Sequence, residues 1–212
     1  MQQRLLKIFD ILLATFGKRH WWPGETPLEI IVGAVLTQNT SWKNVEKAIA
    51  NLKRAQILDM RKLYEAPEDI IAQNIRSSGY YNLKSNRLKN IINVLYQEYG
   101  PSIEHIKENN GLYELRNRFL SVKGIGEETA DSILLYALEK PIFVVDTYTK
   151  RFLVNHGLFE GRCTYGQAQD LFMNNLPSDL YLYNEYHALI VALGQNFCFK
   201  TPKCEACPLK GL

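Results

Sequence analysis

Three groups of residues in this 212-residue chain could carry chemistry. Asp146 follows the apolar run Phe143-Val144-Val145 and precedes Thr147-Tyr148. A carboxylate in that place reads first as a helix N-cap, accepting from N–H groups that have no partner inside the helix. The same group becomes a catalytic anion if it faces a cleft. Upstream, Leu120-Ser121-Val122-Lys123-Gly124-Ile125-Gly126-Glu127-Glu128-Thr129-Ala130 joins two helical patterns through a Gly-x-Gly turn. Glycine permits positive φ and close approach of another molecule, and free N–H groups at the start of the second helix suit a phosphate. Two readings follow: a glycine-capped turn between helices, or a helix-hairpin-helix whose backbone amides grip a DNA phosphate without reading sequence. The third group is Cys198, Cys204 and Cys207, with Cys163 standing apart. In a cytosolic chain such clustering points to metal or cluster ligation before disulfides.

The elements that must position these groups read as almost all helix. Leu5, Ile8, Phe9, Leu12 and Phe16 keep the spacing of one buried helical face, and Gly17 is a stop. Leu28 to Leu36 fits a buried helix. Thr40 or Ser41 caps the next one, through Val45, Ala48, Ile49 and Leu52. Pro67 sits at a helix start, Ser78-Gly79 breaks the chain, and Leu88, Ile91, Ile92 and Leu95 form a further apolar face ended by Gly100-Pro101. Helices are expected over Leu112–Leu120, through Ala130 to Ala137, from Asp146 through Leu153, and near Tyr165–Leu176 and Leu180–Leu193. Only Phe143-Val144-Val145 reads as strand. No long linker, repeat or low-complexity tract interrupts the pattern.

Composition sets the class. With 46% hydrophobic and 22% charged residues the chain is globular, which excludes a mostly disordered protein. No apolar run has the length of a membrane span, and the N-terminus lacks a signal-peptide pattern, so a cytoplasmic location is expected. A net charge of +3 permits nucleic-acid binding only through a local patch.

Several of these motifs, in order, resemble the endonuclease III-like helix-hairpin-helix, Gly-Pro-Asp DNA glycosylase superfamily. Lys123-Gly124-Ile125-Gly126 with Thr129-Ala130 and Val145-Asp146-Thr147 resemble its hairpin and essential carboxylate. Leu36-Thr37-Gln38-Asn39-Thr40 resembles the segment carrying the glutamine that inserts into DNA. Gly79-Tyr80-Tyr81-Asn82-Leu83-Lys84 resembles the second minor-groove loop, and the tail resembles the iron–sulfur loop. Trp21-Trp22-Pro23, Trp42, Ser78-Gly79-Tyr80-Tyr81-Asn82 and the hairpin followed by Asp131 are most similar to the 3-methyladenine DNA glycosylase III subfamily.

The resemblance implies an all-α fold of two lobes: a six-helix barrel lobe with the hairpin over 24–133, and a lobe formed by 1–23 with 134–212, ending in a cysteine loop at 198–212. It implies duplex DNA as partner and a monomer as the working form. Asp146 becomes the catalytic carboxylate. Trp21, Trp22, Pro23, Trp42 and Glu128 become the base pocket. Gln38, Asn39, Tyr80, Asn82, Lys84, Lys123, Gly124, Ile125, Gly126 and Thr129 become DNA contacts, with Arg87, Lys89, Lys150 and Arg151 as further cations for phosphates. Cys198, Cys204 and Cys207 become ligands of a [4Fe–4S] cluster, whose fourth cysteine is expected just after Leu212, and whose first spacing is one residue shorter here than usual. A non-cysteine fourth ligand, a degenerate site and a zinc site stay open.

The departures choose the subtype. Lyase-active members carry a lysine two residues after the second hairpin glycine, and here that residue is Glu128. A carboxylate cannot form the Schiff base that strand cleavage by β-elimination requires. The expectation is therefore a monofunctional glycosylase that flips out 3-methyladenine, with Asp146 stabilising an oxocarbenium-like sugar and assisting water. A methylated, cationic purine stacked on indole gains about 0.5–2 kcal/mol of cation–π energy. The alternatives are a family member acting on oxidised pyrimidines or mismatched bases, with or without lyase activity, and a non-catalytic DNA-binding protein.

Overall fold

The computed structural model describes residues 1–212, and they divide into two compact units, Trp22–Lys140 and Met1–Trp21 with Pro141–Leu212. Helices, turns and loops make up both, and no strand forms. No helix is long and apolar enough to cross a membrane.

The Trp22–Lys140 unit is built around α2 (Pro27–Leu36). Thr26 caps it by accepting from Glu29 N, and Pro27 occupies its first turn, where a missing N–H costs nothing. Ile31, Val32, Val35 and Leu36 are fully buried. Three helices follow: α3 (Trp42–Arg54), α4 (Met60–Glu65) and α5 (Glu68–Asn74). The long α6 (Tyr81–Tyr99) buries Leu88, Ile91, Ile92 and Leu95 on one face. Next come α7 (Ile103–Asn109) and α8 (Leu112–Leu120). The last, α9 (Glu127–Ser132), widens into a π-helical turn at Ile133–Ala137. Helices α4 and α7 have six and seven residues, too few to show an apolar period, and the sequence pattern missed both. A buried carboxylate on α2, Glu29, is matched by Lys53 at 2.9 Å.

In the other unit, α1 (Gln2–Phe16) and α10 (Thr147–Asn155) pack on α12 (Leu180–Asn196), with α11 (Tyr165–Met173) against α10. Tyr186 Oη donates to Leu5 O at 2.8 Å, so α12 holds α1 by a hydrogen bond as well as by burial. Phe143 stacks on Phe172 at 3.9 Å between ring centroids.

The run Phe143-Val144-Val145 does not form the strand its composition suggests. It is extended and buried, but no second strand exists to pair with it. Side chains of α11 take its backbone instead. Gln169 Nε2 donates to Phe143 O at 2.7 Å, and Val145 N donates to Tyr165 Oη at 3.3 Å.

An ion pair braces the two helices flanking the Gly-x-Gly turn. Arg116 on α8 forks onto Asp131 on α9, Nε to Oδ1 at 2.7 Å and Nη2 to Oδ2 at 3.1 Å. Asp131 is fully buried. Arg116 also has Glu127 at 3.9 Å, so Asp131→Asn weakens the brace without stranding the guanidinium and is expected to lower unfolding free energy by about 1.5–3 kcal/mol, the scale of a charged hydrogen bond. Urea denaturation measures this; a change within experimental error would mean the pair does not brace the turn.

Candidate functional site

The Gly-x-Gly turn uses its two glycines differently. Gly124 has φ +93°, a conformation other residues resist, and a Cβ there would collide with the Arg87 side chain. Gly126 caps α9 with φ −98°, which any residue adopts, and a Cβ would meet nothing within 4 Å. Neither the fold's conformation nor its packing requires glycine at 126. Lys123, Gly124, Gly126 and Glu128 are exposed. Ile125 and Thr129, expected as DNA contacts, are buried.

Two further segments of this unit carry left-handed residues. Asn39 has φ 54° and Tyr80 φ 45°. Tyr80 is 72% exposed, and Leu83 one turn on is 50% exposed, an apolar knob at the start of α6 that the sequence reading assigned to Tyr80 alone. Asn82 is exposed beside them. Gln38 is held at both ends of its amide. Its Oε1 accepts from Arg87 Nη1, and its Nε2 donates to Thr129 Oγ1 at 2.9 Å.

The expected phosphate contacts from α6 are corrected here. Lys84 is 1% exposed and donates to Leu36 O and Ser78 O. Arg87 serves Gln38, and Lys89 Nζ donates to Leu63 O, Tyr64 O and Ala66 O at the end of α4. The two lysines answer carbonyls at helix ends, a role invisible in a run of basic residues.

Of the aromatic set expected for the base pocket, Trp22 and Trp42 come together. Trp22 meets Trp42 edge-to-face, centroids 5.4 Å apart at 88°, and meets Tyr136 at 5.1 Å. Trp21 belongs to the other unit and Pro23 is exposed. The two indoles stand perpendicular to one another. Gly33 makes room for both indoles: a Cβ there would lie 3.1 Å from Trp42 and 3.2 Å from Trp22. Trp42 Nε1 is buried without an acceptor. Tyr136, absent from the sequence-based set, lies on the π-helical turn, and no local motif marks it.

In the other unit, Asp146 is the N-cap of α10. Its Oδ1 accepts from Thr149 N at 2.7 Å and from Thr149 Oγ1 at 2.9 Å. Its Oδ2 lies 3.7 Å from His187 Nε2, too far for a direct hydrogen bond. His187 comes from the middle of α12, and no local signal links it to Asp146. The helices approach closely at Gly194, where a Cβ would strike the Tyr148 ring. Burial pushes the Asp146 carboxyl upward, but the neighbouring His187 and the two Thr149 donors outweigh it and hold the group below its ordinary value. The result is a carboxylate ionised at neutral pH, with Oδ1 fastened by Thr149 and Oδ2 facing His187.

Arg151 does not present its charge to a phosphate. Its Nε donates to Cys198 O, its Nη2 to Gly194 O at 3.3 Å, and it lies over the Tyr148 ring. Lys150 lies over Tyr165. Cys198 is buried, with Sγ accepting from Asn155 Nδ2 at 3.3 Å. Cys198, Cys204, Cys207 and His156 line one cavity of about 220 Å³. Burial and the neighbouring sulfurs push the Cys207 thiol up. The donor chemistry suits an iron–sulfur cluster, but three cysteines are one short of its ligand set, and no three His, Cys, Asp or Glu side chains are grouped as a metal site.

Comparison with known proteins places these features in a family. The profile of the HhH-GPD superfamily base excision DNA repair protein matches residues 32–178. The MJ1434 protein of Methanocaldococcus jannaschii, whose name carries the provisional designation DNA repair glycosylase, is 47% identical over 208 residues, covering 98% of this chain and 94% of its own length. Endonuclease III of Thermotoga maritima is 29% identical, covering 87% and 81%. The solved structure of H. pylori 3-methyladenine DNA glycosylase bound to 1,N6-ethenoadenine matches with TM-score 0.76 and 30% identity over 90% of this chain and 97% of that one. An endonuclease III–DNA covalent intermediate matches with TM-score 0.83 at 20% identity over 99% and 93%, a likeness of fold.

The charge on Asp146 is directly measurable. Because its carboxyl is held down, its stabilising contribution is complete above about pH 3.9, the ordinary unfolded value, and is lost as pH falls through the lower folded value. Thr149→Val removes one donor and is expected to raise the Asp146 carboxyl pKa, read by carboxyl-carbon NMR titration. An unmoved titration would mean the hydroxyl does not stabilise the anion.

Proposed function

The chain belongs to the HhH-GPD superfamily of base excision DNA repair proteins, and from that membership we propose that it is a monofunctional glycosylase releasing 3-methyladenine from duplex DNA. That it is a DNA glycosylase follows from the family and its relatives; the lesion and the absence of lyase chemistry are our reading. The observation that carries the reading is Asp146, an ionised carboxylate whose Oδ2 makes no hydrogen bond and faces His187, together with Glu128 where a lyase needs an amine.

The hairpin backbone at Gly124–Gly126 holds a phosphate. Tyr80 and Gln38 enter the stack vacated by the flipped nucleotide, and Gln38 leaves Arg87 and Thr129 to do so. The base stacks on the Trp22–Trp42–Tyr136 group, whose π faces favour a cationic purine. Methylation has already weakened the glycosidic bond, so little protonation of the leaving group is needed. As the C1′–N bond breaks, its electron pair leaves with the base. Asp146 Oδ2 stabilises the positive charge on the sugar, and water adds to C1′ while losing its proton to the carboxylate. Glu128 supplies no amine to attack C1′, so the strand stays intact.

Asp146→Asn is expected to lower base release from alkylated duplex DNA by at least about 100-fold while DNA binding is kept. Chromatography of freed bases is expected to show 3-methyladenine, with no strand nicking and no covalent complex after borohydride treatment of abasic DNA. Full activity of Asp146→Asn would overturn the mechanism, and a borohydride-trapped complex would overturn the monofunctional reading. Release of oxidised or mismatched bases alone would overturn the choice of lesion.

We also assign Cys198, Cys204 and Cys207 to a [4Fe–4S] loop, supported by their place around one cavity. A cluster bound there would brace the loop. Iron and acid-labile sulfide are expected in anaerobically purified protein, and Cys207→Ser is expected to lose both. Their absence from the unsubstituted protein would overturn the assignment.

A further inference from the structure

Lys84 is the fourth residue of α6 and points inward, 1% exposed. Its Nζ donates to Leu36 O at 2.8 Å and to Ser78 O at 2.6 Å. Leu36 ends α2, two residues before Gln38. Ser78 ends the short 3₁₀ turn Arg76–Ser78, two residues before Tyr80. Beyond each carbonyl the chain passes through a left-handed residue, Asn39 on one side and Tyr80 on the other. One ammonium therefore grips the roots of two segments lying 48 and 6 residues away from it in sequence.

Burying an ammonium is costly unless its donors are used well. Burial, with Arg87 nearby, lowers the Lys84 pKa to about 8. A leucine or methionine would fill the same space without that cost. What the ammonium adds over an apolar side chain is a two-pronged donor joining two carbonyls. Lys89, one turn further along α6, caps a single helix end, so bridging is particular to position 84.

We propose that Lys84 is a positioning residue that fixes the separation of the Gln38 and Tyr80 segments, so that both side chains enter the duplex together. The inference rests on the reading of Gln38 and Tyr80 as inserted residues. Lys84 itself touches no DNA. Without its bridge, each segment still folds and the protein still binds intact duplex, but the coupled insertion that unstacks a base is lost.

The test uses the full chain and a duplex carrying one 2-aminopurine, whose fluorescence rises when it unstacks. Lys84→Met keeps the stem and removes the donors; Lys84→Gln, which keeps a shorter donor, serves if Lys84→Met does not fold. The expected result is a loss of about tenfold or more in the unstacking equilibrium, the scale of losing charged hydrogen bonds, with unchanged affinity for intact duplex and partial rescue by Lys84→Arg. Unstacking equal to the unsubstituted protein would overturn the proposal. So would a parallel loss of intact-duplex affinity, which marks a merely structural role. A Gln38→Ala, Tyr80→Ala double variant separates the two levels. If it unstacks 2-aminopurine normally, the inserted-residue reading fails and this inference falls with it. If it loses unstacking while Lys84→Met keeps it, only the role of Lys84 fails.

Discussion

Each helix end exposes backbone groups that have no partner inside the helix, and a chain divided into many short helices has many such ends. The way those groups are answered shapes most of what this protein can do. Carboxylates and hydroxyls at Thr26, Asp59, Ser102, Asp146, Thr164 and Asp179 answer the N–H groups. Cations at Lys84, Lys89, Lys140 and Arg151 answer carbonyls. Capping is usually a matter of stability alone. Here one of the caps is the candidate catalytic group, and one of the cations joins two segments read as DNA contacts.

Asp146 shows how the two roles coexist. A cap needs an anion that stays ionised, and so does a group that must stabilise a developing cation. The same Thr149 donors that fasten Oδ1 also favour the charge that Oδ2 carries. The cap therefore suits the proposed chemistry, and replacing Asp146 by a residue with no side-chain acceptor would also unfasten the first turn of α10.

Much of this was legible in the chain. Apolar periodicity placed the long helices, and Asp146 stood out because a carboxylate after an apolar run is a strong N-cap signal. The glycines at 124 and 126 announced a turn. What stayed hidden depended on side-chain direction. Lys84, Arg87 and Lys89 looked like a cationic face, but α6 turns them toward carbonyls that no linear pattern reveals. His187 and Tyr136 reach their partners through packing between distant helices. Phe143-Val144-Val145 had the composition of a strand and no strand to pair with, so hydrogen bonding to α11 decided its conformation.

The doubly held amide of Gln38 has a further consequence. Leaving its resting place means giving up a bond from Arg87 and a bond to Thr129 at once, and the Arg87 guanidinium, whose Nε is already buried without an acceptor, then loses another contact. A side chain so anchored has a threshold. On the proposal that Gln38 enters DNA, it departs only toward surroundings that return at least as many hydrogen bonds.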